Sequence, residues 1–267
     1  MALNIYFFTH EKLQIPKRSV LIMGDSHTHR ALNPKYFNSA LNLSRPAEPY
    51  LLTYHKLNKV LEVYTPDTLI LGLGPQNLSN YNNQKFVRPK WASEMARRAY
   101  PLVPLSKIEQ WIEVDHATYF RVFWRECAFY PRPRHMKELG GYKNFYETTF
   151  EGLPTTLQTH YHLGGKDAKL SKVSLHFLRA IERLCESKGV ELVVINTPLH
   201  ARYREAIPSE IKAGLRLEFE RLDSAATVLN YGALSLPDSL FLNGDHLNAY
   251  GAKEFTKRVI KDLKALE

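Results

Sequence analysis

The sequence predicts an α/β protein, a three-layer αβα sandwich built on a central parallel sheet of about five strands. Short β-branched, apolar runs alternate with segments whose apolar residues recur at helical spacing. The first run, 19–23, stops at the turn Gly24-Asp25-Ser26, and the strongest helical segment, 170–188, stops at Gly189. In chain order, 19–23 reads as the first strand and 38–43 as a weaker second. Residues 49–64 form a helix with Leu51, Leu52, Leu57, Val60 and Leu61 on one side, and 68–73 a third strand broken by Gly72 and Gly74. After the amphipathic helix 170–188 come the fourth strand 191–196, a helix over 209–224, a short fifth strand 226–229 and a closing helix 249–266. Residues 78–168 break the alternation, being rich in Tyr, Phe, Trp, Arg and Pro with few strand signals. They read as a cap-like insertion in a single domain spanning 1–267. An insertion at the C-terminal end of a strand lies over the ligand crevice of an open α/β sheet.

A chain of 267 residues buries a core without staples. Its net charge of +9 suits a nucleic acid, an anionic membrane face or an acidic polymer. No helix-turn-helix, zinc-finger or RNA-binding pattern accompanies it, which argues against specific nucleic-acid binding. Either the surface is generally basic, or it contacts an anionic polymer or membrane face. No run reaches the roughly 18–20 apolar residues of a membrane span. Ile5-Tyr6-Phe7-Phe8 is too short for a signal sequence, so the expected location is cytoplasmic unless an N-terminal anchor precedes this chain. Cys127 and Cys185 are far apart, either one disulfide or two buried thiols. His160-Tyr161-His162 alternates as two metal ligands on a strand would, but has no partner at convincing spacing. No metal and no cofactor is expected. Arg97, Arg98, Arg121, Arg125, Arg132 and Arg134, among Trp91, Trp111, Tyr119, Trp124 and Tyr130, form either a sugar-binding wall or an apolar core from which arginines reach out.

Two segments carry chemistry. Ser26 follows the first strand, and His246, in Asp245-His246-Leu247-Asn248, precedes the last helix. A serine hydroxyl is a poor nucleophile until a base removes its proton, and histidine is the side chain suited to that near neutral pH. The competing reading makes Ser26 a helix cap. Asp25 is expected to hold the turn, and His27 and His29 either line a pocket or lie exposed. His246 needs an acceptor at its other ring nitrogen. Asp245, Asn243, a backbone carbonyl and, more distantly, Asp238 are the candidates, with Asp245 slightly favoured; alternatively Asp245 caps the last helix.

The strings Gly24-Asp25-Ser26-His27-Thr28 and Asp245-His246-Leu247-Asn248, with Gly251-Ala252 beyond, resemble the SGNH/GDSL hydrolase family, and within it an envelope-anchored subgroup linked to polysaccharide acylation. The resemblance implies a flavodoxin-like SGNH fold, Ser26 as nucleophile and His246 as base. It further implies an oxyanion site formed by the Ser26 N–H, Ala47 in place of the family's glycine, and Asn77, or failing that Gln76. Gln76, His27 and His200 are expected at the substrate, with His200 a second-choice base. The family's aspartate three residues before the histidine is Asn243 here. The implied activity is esterase or acyltransferase action on O-acyl, chiefly O-acetyl, carbohydrate in the cell envelope or periplasm. The rival is a catalytically impaired binding or assembly protein on the same fold.

Overall fold

The computed structural model describes residues 14–129, 139–163 and 165–266. Its central sheet has five parallel strands, β1 (Val20–Met23), β2 (Ala40–Asn42), β3 (Thr68–Gly72), β6 (Glu191–Asn196) and β7 (Thr227–Asn230), in the order β2-β1-β3-β6-β7. The registers Leu21↔Leu69 and Leu69↔Leu192 align one row of side chains, and Ile22↔Ile70 and Ile70↔Val193 align the next. Successive strand residues face opposite sides, so the rows enter different cores. Leu21, Met23, Leu69, Leu71, Leu192 and Val194 pack with α2 (Tyr50–Leu61), α8 (Lys172–Lys188) and α10 (Ser209–Leu222). Ile22, Ile70, Val193 and Ile195 pack with Ala31 of α1 (Ser26–Ala31) and with Phe255 and Val259 of α11 (Ala249–Lys264). The fold is therefore the three-layer α/β sandwich expected, with a second strand shorter than 38–43.

The described residues of 78–168 are mainly helical: α4 (Pro89–Ala99), α5 (Leu105–Glu109), α6 (His116–Phe129) and α7 (Leu153–Tyr161), then the small hairpin β4 (His162–Leu163) and β5 (Lys166–Asp167). The segment leaves and returns at one place. Asn80 N–H donates to Lys169 O at 2.9 Å, and Ser171 N–H to Leu78 O at 2.7 Å. Phe86, Met95, Ala99, Ile108 and Val122 join the core on one face of the sheet, so this segment shares the main core. Further along, Lys143 N–H donates to His29 O and Thr149 N–H to Leu242 O. The described stretch after 139 thus runs between α1 and the hairpin of β8 (Phe241–Asn243) and β9 (His246–Leu247).

The reading of His160 and His162 as alternating on one strand is corrected: His160 lies in α7 and donates or accepts at Tyr203 Oη, while His162 opens β4. Propagation of the α7 helix to Tyr161 puts the two rings on different elements. Cys185 is a buried free thiol, so there is no disulfide; the side chain of Cys127 lies outside what is described. Tyr130, Arg132 and Arg134 also fall outside the described residues. Arg97 and Arg98 pair with Glu94 and Arg125 with Glu126 of their own helices, while Arg97 also reaches Glu126 and Arg98 the Pro46 carbonyl. Trp124 is 47 % exposed and Trp111 stacks on His176.

The turn after β1 requires glycine. Gly24 has φ +143°, and a Cβ there would lie 2.6 Å from Thr28 Oγ1 and 3.3 Å from the Gly72 backbone. Gly24→Ala is expected to lower stability by about 1–3 kcal/mol, whereas Gly152→Ala, with open space around it, should change it by less than about 0.5 kcal/mol. Urea denaturation of both variants measures the difference.

Candidate active site

The carboxyl ends of β1 and β3 deliver most of the site. Met23 pairs with Leu71 at the edge of the sheet, Gly24 turns the chain, and α1 begins at Ser26. Asp25 is the N-cap: its Oδ1 accepts from His27 N–H at 2.9 Å. The cap role proposed for Ser26 is therefore filled by Asp25, and Ser26, half-buried, keeps its hydroxyl for another partner. That partner is His246, whose Nε2 lies 2.7 Å from Ser26 Oγ across 220 residues of sequence.

His246 is presented by the β8–β9 hairpin. Asn243 and His246 are directly paired across it, with Gly244 and Asp245 forming the turn. This pairing brings the residue three positions earlier to the ring. Asn243 Oδ1 accepts from His246 Nδ1 at 2.9 Å, from His246 N–H at 3.0 Å and from Asp245 N–H at 3.2 Å. Two backbone donors fix which end of the amide faces the ring, since only the oxygen can accept them. The ring proton accordingly sits on Nδ1, leaving Nε2 to accept from Ser26.

Asp245 Oδ1 is also 3.0 Å from Nδ1, but neither Asp245 oxygen makes a well-aligned hydrogen bond. The slight preference for Asp245 as the orienting group is thus corrected: the N–H is aimed at Asn243, and Asp245 contributes charge. Asp245 is 1 % exposed. Burial pushes its carboxyl up, but the surrounding histidines His246, His27 and His160 outweigh that and hold it well below the usual carboxylate range. It does not cap the last helix either, a role taken by Asn248.

His27 is buried, not exposed. Its Nδ1 lies 3.1 Å from Asp25 Oδ1, its Nε2 3.7 Å from Asp245 Oδ2, and its ring centroid 4.7 Å from that of His246. Burial lowers its pKa, but the two carboxylates prevail and raise it. Burial instead depresses His246 to about 4, reinforced by His27 and Arg30 against the opposing charge of Asp245. The two rings thus differ in character: His27 is the one that favours a proton, and His246 remains neutral.

Asn77 Nδ2 donates to Asp25 Oδ2 at 2.9 Å, while its Oδ1 accepts from Gly74 N–H and Gln76 Nε2. An amide nitrogen carries two hydrogens, so one remains after the bond to Asp25. Gln76 is 1 % exposed and its Nε2 also donates to Asp25 Oδ2. The expectation of Gln76 at the substrate is corrected: it braces Asp25 and Asn77 from below. Ala47 has φ +59°, the left-handed conformation normally given to glycine, and is half-buried on a loop tied to the Ser26 turn by Arg45 N–H to Gly24 O at 3.0 Å. Although its N–H donates to Gly244 O at 3.0 Å in the turn that presents His246, the His200 side chain does not join this group. Its Nε2 lies 3.1 Å from Asp238, and its ring packs on Phe150 and Phe241. Asp238 is thereby engaged away from His246.

Among the described residues, His27, Asp245 and His246 offer ligand atoms within 4.8 Å of one another. A cation there would compete with the bonds from His246 to Ser26 and Asn243. What the arrangement can do chemically is take the proton of the half-buried Ser26 hydroxyl.

No family profile and no curated protein matches this sequence. Solved structures similar to it include a GDSL-like lipase from Bacteroides thetaiotaomicron, 11 % identical over 97 % of this chain and 95 % of that one, TM-score 0.44. A lipase/acylhydrolase from Enterococcus faecalis is 14 % identical over 93 % of this chain and 96 % of that one, also with TM-score 0.44.

Nitrogen-15 NMR of histidine-labelled protein tests the ring assignments. His246 is expected as the Nδ1–H tautomer at neutral pH, titrating at about 4, while His27 titrates above 6.5. A His246 ring that protonates near 6.5 contradicts the environment described.

Proposed function

We propose that the protein is an SGNH-type serine esterase acting on O-acyl esters of carbohydrate, O-acetyl esters foremost. The observation that carries this reading is the 2.7 Å contact between His246 Nε2 and Ser26 Oγ, with Asn243 and Asp245 at the other ring nitrogen. Ser26 Oγ attacks the ester carbonyl carbon while His246 Nε2 takes its proton. The oxyanion receives hydrogen bonds from Ser26 N–H, Ala47 N–H and the second Nδ2 hydrogen of Asn77. Collapse of the tetrahedral intermediate breaks the bond to the leaving oxygen, which takes the proton from His246. Water, or a second sugar hydroxyl in a transfer reaction, then resolves the acyl-serine by the same steps in reverse. The buried Asp245 carboxylate stabilises the imidazolium that forms in each half-reaction. These steps draw on protein side chains and backbone alone.

The feature favouring an impaired binding protein was Asn243. Its oxygen is held toward the ring by two backbone donors, which supports the catalytic reading. The carbohydrate substrate and an envelope location rest on the likeness of the Ser26 and His246 segments to the polysaccharide-modifying subgroup. The charge of +9 suits contact with an anionic polymer or membrane face.

Turnover of an aryl acetate and of an O-acetylated oligosaccharide tests the activity. Ser26→Ala is expected to lose about 10³-fold or more in kcat; unchanged turnover by the folded variant rules the mechanism out. The working base is neutral His246, so kcat/KM should fall as pH drops through about 4 and stay level from there through neutrality. Asn243→Asp, by adding a carboxylate at Nδ1, is expected to move that acidic limb to higher pH. Asp245→Asn should cost about 10²–10⁴ in kcat by removing the charge beside the imidazolium. Full pH–rate profiles of the three proteins check both effects.

A further inference from the structure

Three buried basic side chains converge on one short loop. Lys56 Nζ donates to Leu43 O at 2.6 Å, Arg98 Nη1 to Pro46 O at 2.7 Å, and Lys85 Nζ to Ala47 O at 2.8 Å. Lys56 and Lys85 are 1 % exposed and Arg98 7 %. Removing a charge from water is costly unless it is well paired. Lys56 pairs with Glu48 and Arg98 with Glu94, whereas Lys85 donates to Ala47 O, Tyr81 Oη and Asn82 Oδ1, and burial lowers its pKa to about 7. Lys85 and Arg98 both come from the 78–168 segment, whose aromatic and arginine content the reaction steps leave unused.

The loop has the pattern of a type II turn. Glu48 N–H donates to Arg45 O at 3.2 Å, Pro46 holds the second position and Ala47, at φ +59°, the third. That third position calls for glycine, since a Cβ there is strained. A trans peptide is planar, with N–H and C=O pointing in opposite directions. The Ala47 N–H belongs to the same peptide as Pro46 O, and Ala47 O belongs to the next one. Arg98 and Lys85 therefore hold the two peptide planes on either side of Ala47.

We propose that Arg98 and Lys85 are positioning residues for the oxyanion site, a clamp of two donors from the inserted segment that fixes the strained Ala47 turn and aims its N–H at the reacting carbonyl. The proposal rests on the esterase reading and on Ala47 as an oxyanion donor. By accepting from Arg98, the Pro46 carbonyl also polarises its own peptide, making the Ala47 N–H a stronger donor. The inserted segment would then act on chemistry it does not touch, and alanine could stand where glycine would otherwise be needed.

The test compares wild type, Ser26→Ala, Arg98→Met and Lys85→Met on one aryl acetate, each alone and the last two combined with Ala47→Gly, with folding followed by thermal melts. Loss of the clamp should lower kcat by ~10–100-fold, part of the 10²–10³ that an oxyanion donor supplies, with KM changed by less than about 3-fold. Ala47→Gly should restore part of that loss, because glycine adopts the turn without being held. A merely structural role predicts lower melting temperature, no selective loss of kcat and no recovery with glycine. Ser26-dependent turnover that Arg98→Met and Lys85→Met leave unmoved overturns the clamp alone. Equal turnover by wild type and Ser26→Ala overturns the esterase reading and the clamp with it. Should a methionine variant fail to fold, Arg98→Leu and Lys85→Leu, which also remove every donor, are expected to show the same kcat loss, and full kcat in them overturns the proposal.

Discussion

A carboxylate taken out of water needs donors, and Asp25 finds them on two strand exits at once. Its Oδ1 receives the His27 N–H, which starts α1 at Ser26 and so sets where the hydroxyl points. Its Oδ2 receives Gln76 Nε2 and Asn77 Nδ2 from the turn after β3. Without this anion, three polar groups buried together would lose their common acceptor, and the serine turn would lose its helix cap. Burial alone would drive Asp25 toward its neutral form; the charge and hydrogen bonds of His27, with Gln76, keep it ionised. Gly24 and Gly72 permit the arrangement sterically, since a Cβ at either position would strike Thr28 of α1.

Around His246 two tasks usually given to one carboxylate are divided. Asn243 fixes the tautomer, because its oxygen is committed to the backbone of the hairpin turn as well as to the ring. Asp245 supplies negative charge from a position 3.0 Å from the same nitrogen but poorly aligned with its N–H. The same anion faces His27 at 3.7 Å. A buried carboxylate between two imidazoles lets one of them hold a proton while the other stays neutral, which is the protonation a base needs.

The alternation of strand and helix patterns made the five-stranded sheet legible, because buried parallel strands are written as continuous apolar runs. The Ser26 segment was legible because it sits at the end of such a run, where open α/β sheets place ligands, and the His246 segment because it lies on a polar turn just before the closing helix. Long-range side-chain pairing was not. Nothing in the sequence near Gln76 shows that its amide turns inward to Asp25, and His27 looks like any loop histidine until two carboxylates meet its ring. The choice between Asn243 and Asp245 depended on the hairpin register, which pairs 243 with 246; a one-residue slip would have reversed it. Helices in 78–168 were obscured by prolines that open helices, as Pro89 does at the head of α4, and by aromatics that pack in the core, as Phe86 and Tyr119 do.

The central claim is that Ser26 is a nucleophile activated by His246. Covalent labelling tests it without presuming a substrate. On exposure to a small fluorophosphonate, the protein should gain one phosphonyl group, located at Ser26 by peptide mass spectrometry, and His246→Ala should abolish the labelling while leaving the fold intact. Absence of an adduct at Ser26 in the folded wild-type protein, or labelling undiminished in His246→Ala, would contradict the account.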